Sequence, residues 1–296
     1  MGLHIKNMIK SFGSNIAVND ISFSMEKPGV FGLIGTNGAG KTTCIRTILG
    51  IMSADSGKAE WNEKKISREN LSFGYMPEER GIYMKTKVLE QLVYFGTLRG
   101  MSKTDAKKSA LDYMERLGVS EYRDVPAEKL SKGNQQKVQL ITTLIHNPEL
   151  IFLDEPFSGL DPVNTNTLNN LIHELVLEKR FVVMSSHQMS TVEEYCEDIL
   201  MLHKGKSVLQ GNLKEIKKGY GHTNLIISCE QDIALYANEA GLELISRRAD
   251  ESEYRITGDE MAQSFLKKLI NEGIFPIKYI VKEPSLNEIF IQKVGE

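Results

Sequence analysis

The octapeptide Gly35-Thr36-Asn37-Gly38-Ala39-Gly40-Lys41-Thr42 fits the pattern GxxxxGK[ST]. Its glycines let the backbone curl until several N–H groups face one anion, and a helix starting at the same point adds partial positive charge. Lys41 can then reach the outer phosphates of a nucleotide, and the Thr42 hydroxyl can ligate Mg²⁺. Two acids, Asp154 and Glu155, close the apolar run Leu150-Ile151-Phe152-Leu153. There Asp154 can hold Mg²⁺ through water, and Glu155 can polarise an attacking water as general base. His187 ends another apolar run, where a side chain can contact the terminal phosphate.

Three further places have two readings each. Ser131, ahead of Lys132 and Gly133, is either a plain helix cap or a second anion site made of a hydroxyl and free N–H groups. Glu78, within Glu78-Glu79-Arg80-Gly81, is either part of a solvated turn or a group at a strand end, where α/β ligand sites lie. Phe12 is either a core aromatic or a platform for an adenine ring.

These residues need a scaffold, and the surrounding pattern supplies one. Val30-Phe31-Gly32-Leu33-Ile34 reads as a buried strand before the glycine loop. Thr43 to Leu49 carries apolar residues at helical spacing, with Gly50 as its stop. The runs ending at Asp154 and His187 suit parallel strands buried on both faces. Residues 3–10 and 16–25 read as strands joined by a turn, and 57–61 and 71–76 as two more. Residues 87–99 and 103–117 read as a helical insert, Ser102 and Asp105 forming a capping box for its second helix. Its apolar stripes, Val88, Leu92 and Phe95 on one helix and Ala106, Ala110, Tyr113, Met114 and Leu117 on the other, are core or a docking face. Asp161 caps a helix with Pro162 in its first turn, and Val163, Leu168, Leu171, Leu175 and Val176 mark its apolar side.

The 296 residues divide into an expected ATPase region, 1–218, with a helical subdomain near 86–135, a linker at 219–223 and a small unit at 224–296. The last reads strand, helix, strand, strand, helix, strand, a ferredoxin-like α+β order. A net charge of -3 offers no basic footprint for nucleic acid. Cys44, Cys196 and Cys229 lie far apart, against a disulfide framework or zinc site. No apolar run approaches the roughly 18 residues of a membrane span, and no signal-peptide core is evident.

With these stretches placed, the chain resembles the ATP-binding subunit of a bacterial ABC transporter over about residues 2–217. Walker A is Gly35 to Thr42, the signature Leu130 to Gln136, Walker B Leu150 to Glu155, the D-loop Ser158 to Asp161, and the switch histidine His187. Glu78 stands where the family has a glutamine, and Lys132 and Asn134 stand at the first glycine and the glutamine of LSGGQ. The C-terminal ending, Pro284 to Phe290, is similar to that of a branch of drug, sodium and peptide exporters. The resemblance implies a P-loop α/β fold with an antiparallel β subdomain and a helical subdomain, and ATP and Mg²⁺ as cofactors. It implies two ATPase subunits stacked head to tail, each ATP between the Walker A of one chain and Ser131 and Gly133 of the other. It also implies a membrane permease docked near Glu78 and the helical insert, with this chain peripheral on the cytoplasmic face.

Two alternatives are weighed against it. A soluble ABC-type ATPase acting on ribosomes or DNA would carry two cassettes, a long coiled-coil insertion or a basic surface. A non-hydrolysing ATP sensor would lack Glu155 or His187.

Overall fold

The structure is a computed structural model that describes residues 2–66, 73–79, 81–248 and 250–295. Residues 71 and 72 of an expected strand, and Arg80, lie outside them. The chain forms two compact units, 1–210 and 211–296.

The first unit opens with β1 (Leu3–Phe12), β2 (Asn15–Met25) and β3 (Gly29–Ile34). After the glycine loop come α1 (Lys41–Ile48), β4 (Ser56–Trp61), β5 (Lys64–Lys65) and β6 (Phe73–Met76). The helical insert is α2 (Val88–Leu98) and α3 (Lys103–Arg116), and α4 (Lys132–Leu144) follows it. Then follow β7 (Leu150–Asp154), α5 (Pro162–Leu177), β8 (Phe181–Ser186), α6 (Met189–Tyr195), β9 (Asp198–His203) and β10 (Lys206–Asn212).

β2-β1-β4-β5 make an antiparallel sheet, and a second sheet runs β10-β9-β3-β8-β7-β6. Within the latter, β9, β3, β8, β7 and β6 are parallel neighbours. Every residue of β3, β7 and β8 is buried. That explains their unbroken apolar runs: both faces must be covered. α1 touches β1, β2 and β7, and a continuous core joins Leu3, Ile21 and Trp61 to Phe31, Ile45, Phe152 and Val183. Parallel register aligns the strand ends, so Leu33 and Asp154 both pair with Ser185. The glycine loop, the acids and His187 therefore emerge at one edge of the sheet.

The insert follows its expected limits closely, and Ser102 accepts from the Asp105 N–H as the capping box requires. Its stripes are mostly core, with Val88, Leu92, Ala106, Ala110 and Met114 at or near zero exposure. On α5, Leu168, Leu171 and Leu175 are buried, but Val163 is 75% exposed. Val163 sits in the first turn beside Asp161, before the apolar stripe begins.

The second unit contains α7 (Leu213–Tyr220), β11 (Asn224–Ser228), α8 (Ala234–Glu239), β12 (Glu243–Arg247), β13 (Ser252–Arg255), α9 (Asp259–Asn271), β14 (Lys278–Lys282) and α10 (Leu286–Gly295). Its sheet order is β12-β13-β11-β14, all antiparallel. That is the ferredoxin-like arrangement, with α8 and α9 covering a core of Leu225, Ile227, Tyr254 and Phe265. The units divide at 210/211 rather than 218, and Gly219 and Tyr220 close α7 instead of forming a linker. Asn212 caps that helix through the Glu215 N–H, a start signal ahead of the glycines.

Candidate nucleotide and metal site

The glycine loop turns on Gly40, which lies at φ 104°, a left-handed conformation that side chains rarely adopt. A Cβ there would also collide with the Ala17 carbonyl of β2. Behind it, Gly205 N–H donates to the Ala39 carbonyl at 3.0 Å, so the β9–β10 turn braces the loop. Asn37, Gly38, Ala39, Gly40, Thr42 and Thr43 line a cavity of about 590 Å³. Lys41, Glu78, Glu155 and Phe12 line it too. Phe12 is 49% exposed at the end of the first hairpin, with Lys10 Nζ 5.4 Å from its ring centre. That exposure overturns the core-aromatic reading.

Lys41 Nζ donates to the Gly35 carbonyl at 2.8 Å and the Thr36 carbonyl at 3.3 Å. It lies 3.2 Å from Glu155 Oε1, both side chains 7% exposed. Glu155 Oε1 has no aligned hydrogen bond, so this is a contact of charges. Glu155 Oε2 meets His187 Nδ1 at 2.8 Å. Next to it Asp154 is fully buried, and one oxygen, Oδ1, accepts from Ser185 Oγ at 2.5 Å. Burial pushes the Asp154 carboxyl up, with the charge of Glu155 adding to the rise, while the hydroxyls of Ser185 and Thr42 and the charge of Lys41 oppose it.

Mg²⁺ fits these residues. Asp154 Oδ2 is buried with no hydrogen-bond partner, and the Thr42 hydroxyl acts on the same carboxyl. Such an orphaned oxygen is costly unless something meets it. Mg²⁺ needs only one or two protein oxygens, since phosphate and water complete its octahedron.

Glu78 is held in place from behind. Gln139 Nε2 on α4 donates to the Pro77 and Glu79 carbonyls at 2.7 and 3.0 Å, fixing the chain on either side of it. None of Ser131, Gly133 and Asp161 lines the cavity. Ser131 caps α4 by accepting from Asn134 N–H at 3.2 Å, and Asp161 caps α5 by accepting from Asn164 N–H at 2.9 Å. Gly133 is buried, and a Cβ there would strike the Asn164 side chain. Within one chain, then, the glycine leaves room for the Asn164 amide, a side chain that could also give way. Ser185 and Gln139 are the residues that sequence reasoning passed over. A serine at a strand end and a glutamine inside a helix carry no signal until register reveals their neighbours.

A phosphate loop, two carboxylates and a histidine on one edge of a parallel sheet define a P-loop nucleotide hydrolase. Residues 18–158 match the ABC transporter family, and residues 211–294 match the family described as ATP-binding protein DrrA1-3-like, C-terminal domain. An uncharacterised ABC transporter ATP-binding protein of Bacillus subtilis (strain 168), YhaQ, is 42% identical over 294 residues, covering 99% of this chain and 98% of that one. The linearmycin resistance ATP-binding protein LnrL of the same organism is 28% identical over 305 residues, covering 99% and 98%. A solved ATP-binding subunit of an ABC transporter superposes with a TM-score of 0.68 at 26% identity, covering 74% of this chain and 93% of that one. The chain belongs to the ATP-binding proteins of ABC transporters. It is an ATPase subunit that powers transport.

Proposed function

We propose that ATP binds in the cavity of the first unit, its adenine against Phe12 and its phosphates in the loop from Gly35 to Thr43. Lys41 neutralises the outer phosphates. Thr42 and Asp154 hold Mg²⁺, with Glu78 as a further oxygen near it. When bound, Mg²⁺ would neutralise phosphate charge that develops during transfer. Glu155 is the general base for the attacking water, and His187 orients it while contacting the terminal phosphate. The observation that carries this reading is the chain of contacts from Lys41 to Glu155, 3.2 Å, and on to His187, 2.8 Å, the first two of which line the cavity.

Ser131, Gly133 and Asp161 act in trans, across a dimer of two ATPase subunits. Their position away from the cavity supports this, because they line no part of it in their own chain. The membrane partner docks on the helical insert. Tyr94 and Leu98 on α2 are 47% and 61% exposed, and Tyr83, just before the insert, is 51% exposed and stacks on Phe95 at 5.5 Å. Aromatic clusters of this kind are typical anchors of interfaces. No helix among the described residues is long and apolar enough to cross a membrane, which supports a separate permease with this chain on the cytoplasmic face. The likeness to a resistance protein supports export. The C-terminal unit is an accessory domain that regulates or stabilises the dimer.

The test is to isolate the chain from membranes in mild detergent and identify what stays bound. A multi-span membrane protein is expected. Ribosomal particles or DNA in its place would favour the soluble alternative.

A further inference from the structure

Ser185 is fully buried at the end of β8, opposite Asp154 in the sheet register. Its hydroxyl has one proton to donate and lone pairs to accept with. Glu155 N–H, which can only donate, points at Ser185 Oγ at 3.0 Å and at the Ser185 carbonyl at 3.3 Å. The hydroxyl proton is therefore free for Asp154 Oδ1, 2.5 Å away. This leaves Oδ2 as the one Asp154 oxygen without a hydrogen-bond partner. Glu155 itself has φ 52°, a strained value for a residue with a side chain. The shared N–H bond to Ser185 holds it there.

We infer that Ser185 is a positioning residue that assigns the two oxygens of Asp154, one to itself and one to a divalent cation, and fixes the backbone turn that aims Glu155. This rests on the reading of Asp154 as a metal-holding group. Without the hydroxyl, Oδ1 loses its hydrogen-bond partner and the carboxylate loses the bond that fixes its rotation. The oxygen aimed at the metal is then no longer defined, although the loop that binds phosphate is untouched.

The test is calorimetric binding of ATP to the full chain, first in EDTA and then with Mg²⁺ titrated in, for wild type, Ser185→Ala, Ser185→Thr and Ser185→Cys. Partners that orient a metal ligand are commonly worth about tenfold or more in metal affinity, so Ser185→Ala is expected to need about tenfold more Mg²⁺. Its affinity for ATP in EDTA stays at the wild-type value. Ser185→Thr, which keeps the hydroxyl, restores the Mg²⁺ dependence. Ser185→Cys keeps the shape but weakens the donor, and reproduces the defect if the alanine variant does not fold. A Ser185→Ala or Ser185→Cys titration that coincides with wild type overturns the proposal, as does an equal loss of affinity in EDTA. A wild-type chain whose ATP binding ignores Mg²⁺ removes its base, since Asp154 then holds no metal.

Discussion

Lys41 Nζ and Glu155 Oε1 lie 3.2 Å apart, one on the helix after the glycine loop and one just beyond β7, and both are nearly buried. The residue proposed to grip phosphate and the residue proposed to activate water thus hold each other's charge. Breaking a buried pair from one side leaves an uncompensated charge, whereas removing both charges together is close to neutral. Lys41→Ala should therefore lower unfolding free energy by about 3 kcal/mol, near the small end of that range because His187 still faces the carboxylate. Adding Glu155→Gln should recover most of the loss without restoring ATP binding. Denaturant unfolding of the single and double variants checks this, and strictly additive losses would contradict it.

Glu78, which lines the cavity, gives a second test of the proposed metal. Mg²⁺ favours charged oxygens, so Glu78→Gln should keep turnover within about tenfold but need more Mg²⁺ for half-maximal rate. It should also bind metal-free ATP better, because a negative charge beside the phosphates is gone. Coincident Mg²⁺ titrations of variant and wild type would place Glu78 outside the metal's reach.

Exposed aromatic residues on and just before the insert give a third expectation. Replacing Tyr83 and Tyr94 together with alanine should leave ATP binding intact and weaken association with the membrane subunit by at least about tenfold. Co-purification from detergent-solubilised membranes measures it. Full retention of the partner would move the docking surface elsewhere.

In the C-terminal unit, fully buried Asn224 donates to Glu253 Oε1 at 2.9 Å and to Glu288 Oε1 at 3.0 Å. Burial alone would raise both carboxyls, but Asn224, with Lys282 on Glu253 and Ser285 on Glu288, holds them below their usual range. A depressed carboxyl contributes fully above its unfolded value of 4.5 and loses that contribution as pH falls through the folded value. Calorimetric stability of this unit should therefore be level at neutral pH and decline on acidification below about pH 4.5. Asn224→Ala should cost about 1–3 kcal/mol at pH 7 and flatten the acid decline. An unchanged acid profile in the variant would remove the network from the account.

A chain truncated after Tyr220 retains β10 and every residue of the cavity. It should stay soluble and bind ATP as the full chain does, while dimerisation or coupling to transport changes. Insolubility would mean that the two units share one core.

Much of this was legible before any coordinates. Runs such as Leu150 to Asp154 announce parallel strands because burial on both faces leaves no room for polar residues. The glycine loop announces itself because Gly40 occupies a conformation that few other residues can take. Partnership across the sheet was not legible. That Asp154 faces Ser185, or that Lys41 meets Glu155, depends on register between strands far apart in sequence. Gly133 shows the reverse limit: its family pattern suggests an anion, while the fold also sets the Asn164 amide against it. The short helix α6 and the strands β9 and β10 carried weaker punctuation and were not separately expected.

The central claim, that Glu155 is the general base, is tested most directly by ATP turnover of Glu155→Gln in the complex assembled with its membrane subunit. Glutamine keeps the shape and removes the base, so ATP should bind while hydrolysis slows at least roughly a hundredfold. Dimers closed around Mg-ATP should accumulate as a consequence. Turnover near the wild-type rate would contradict the assignment and move the base to another residue.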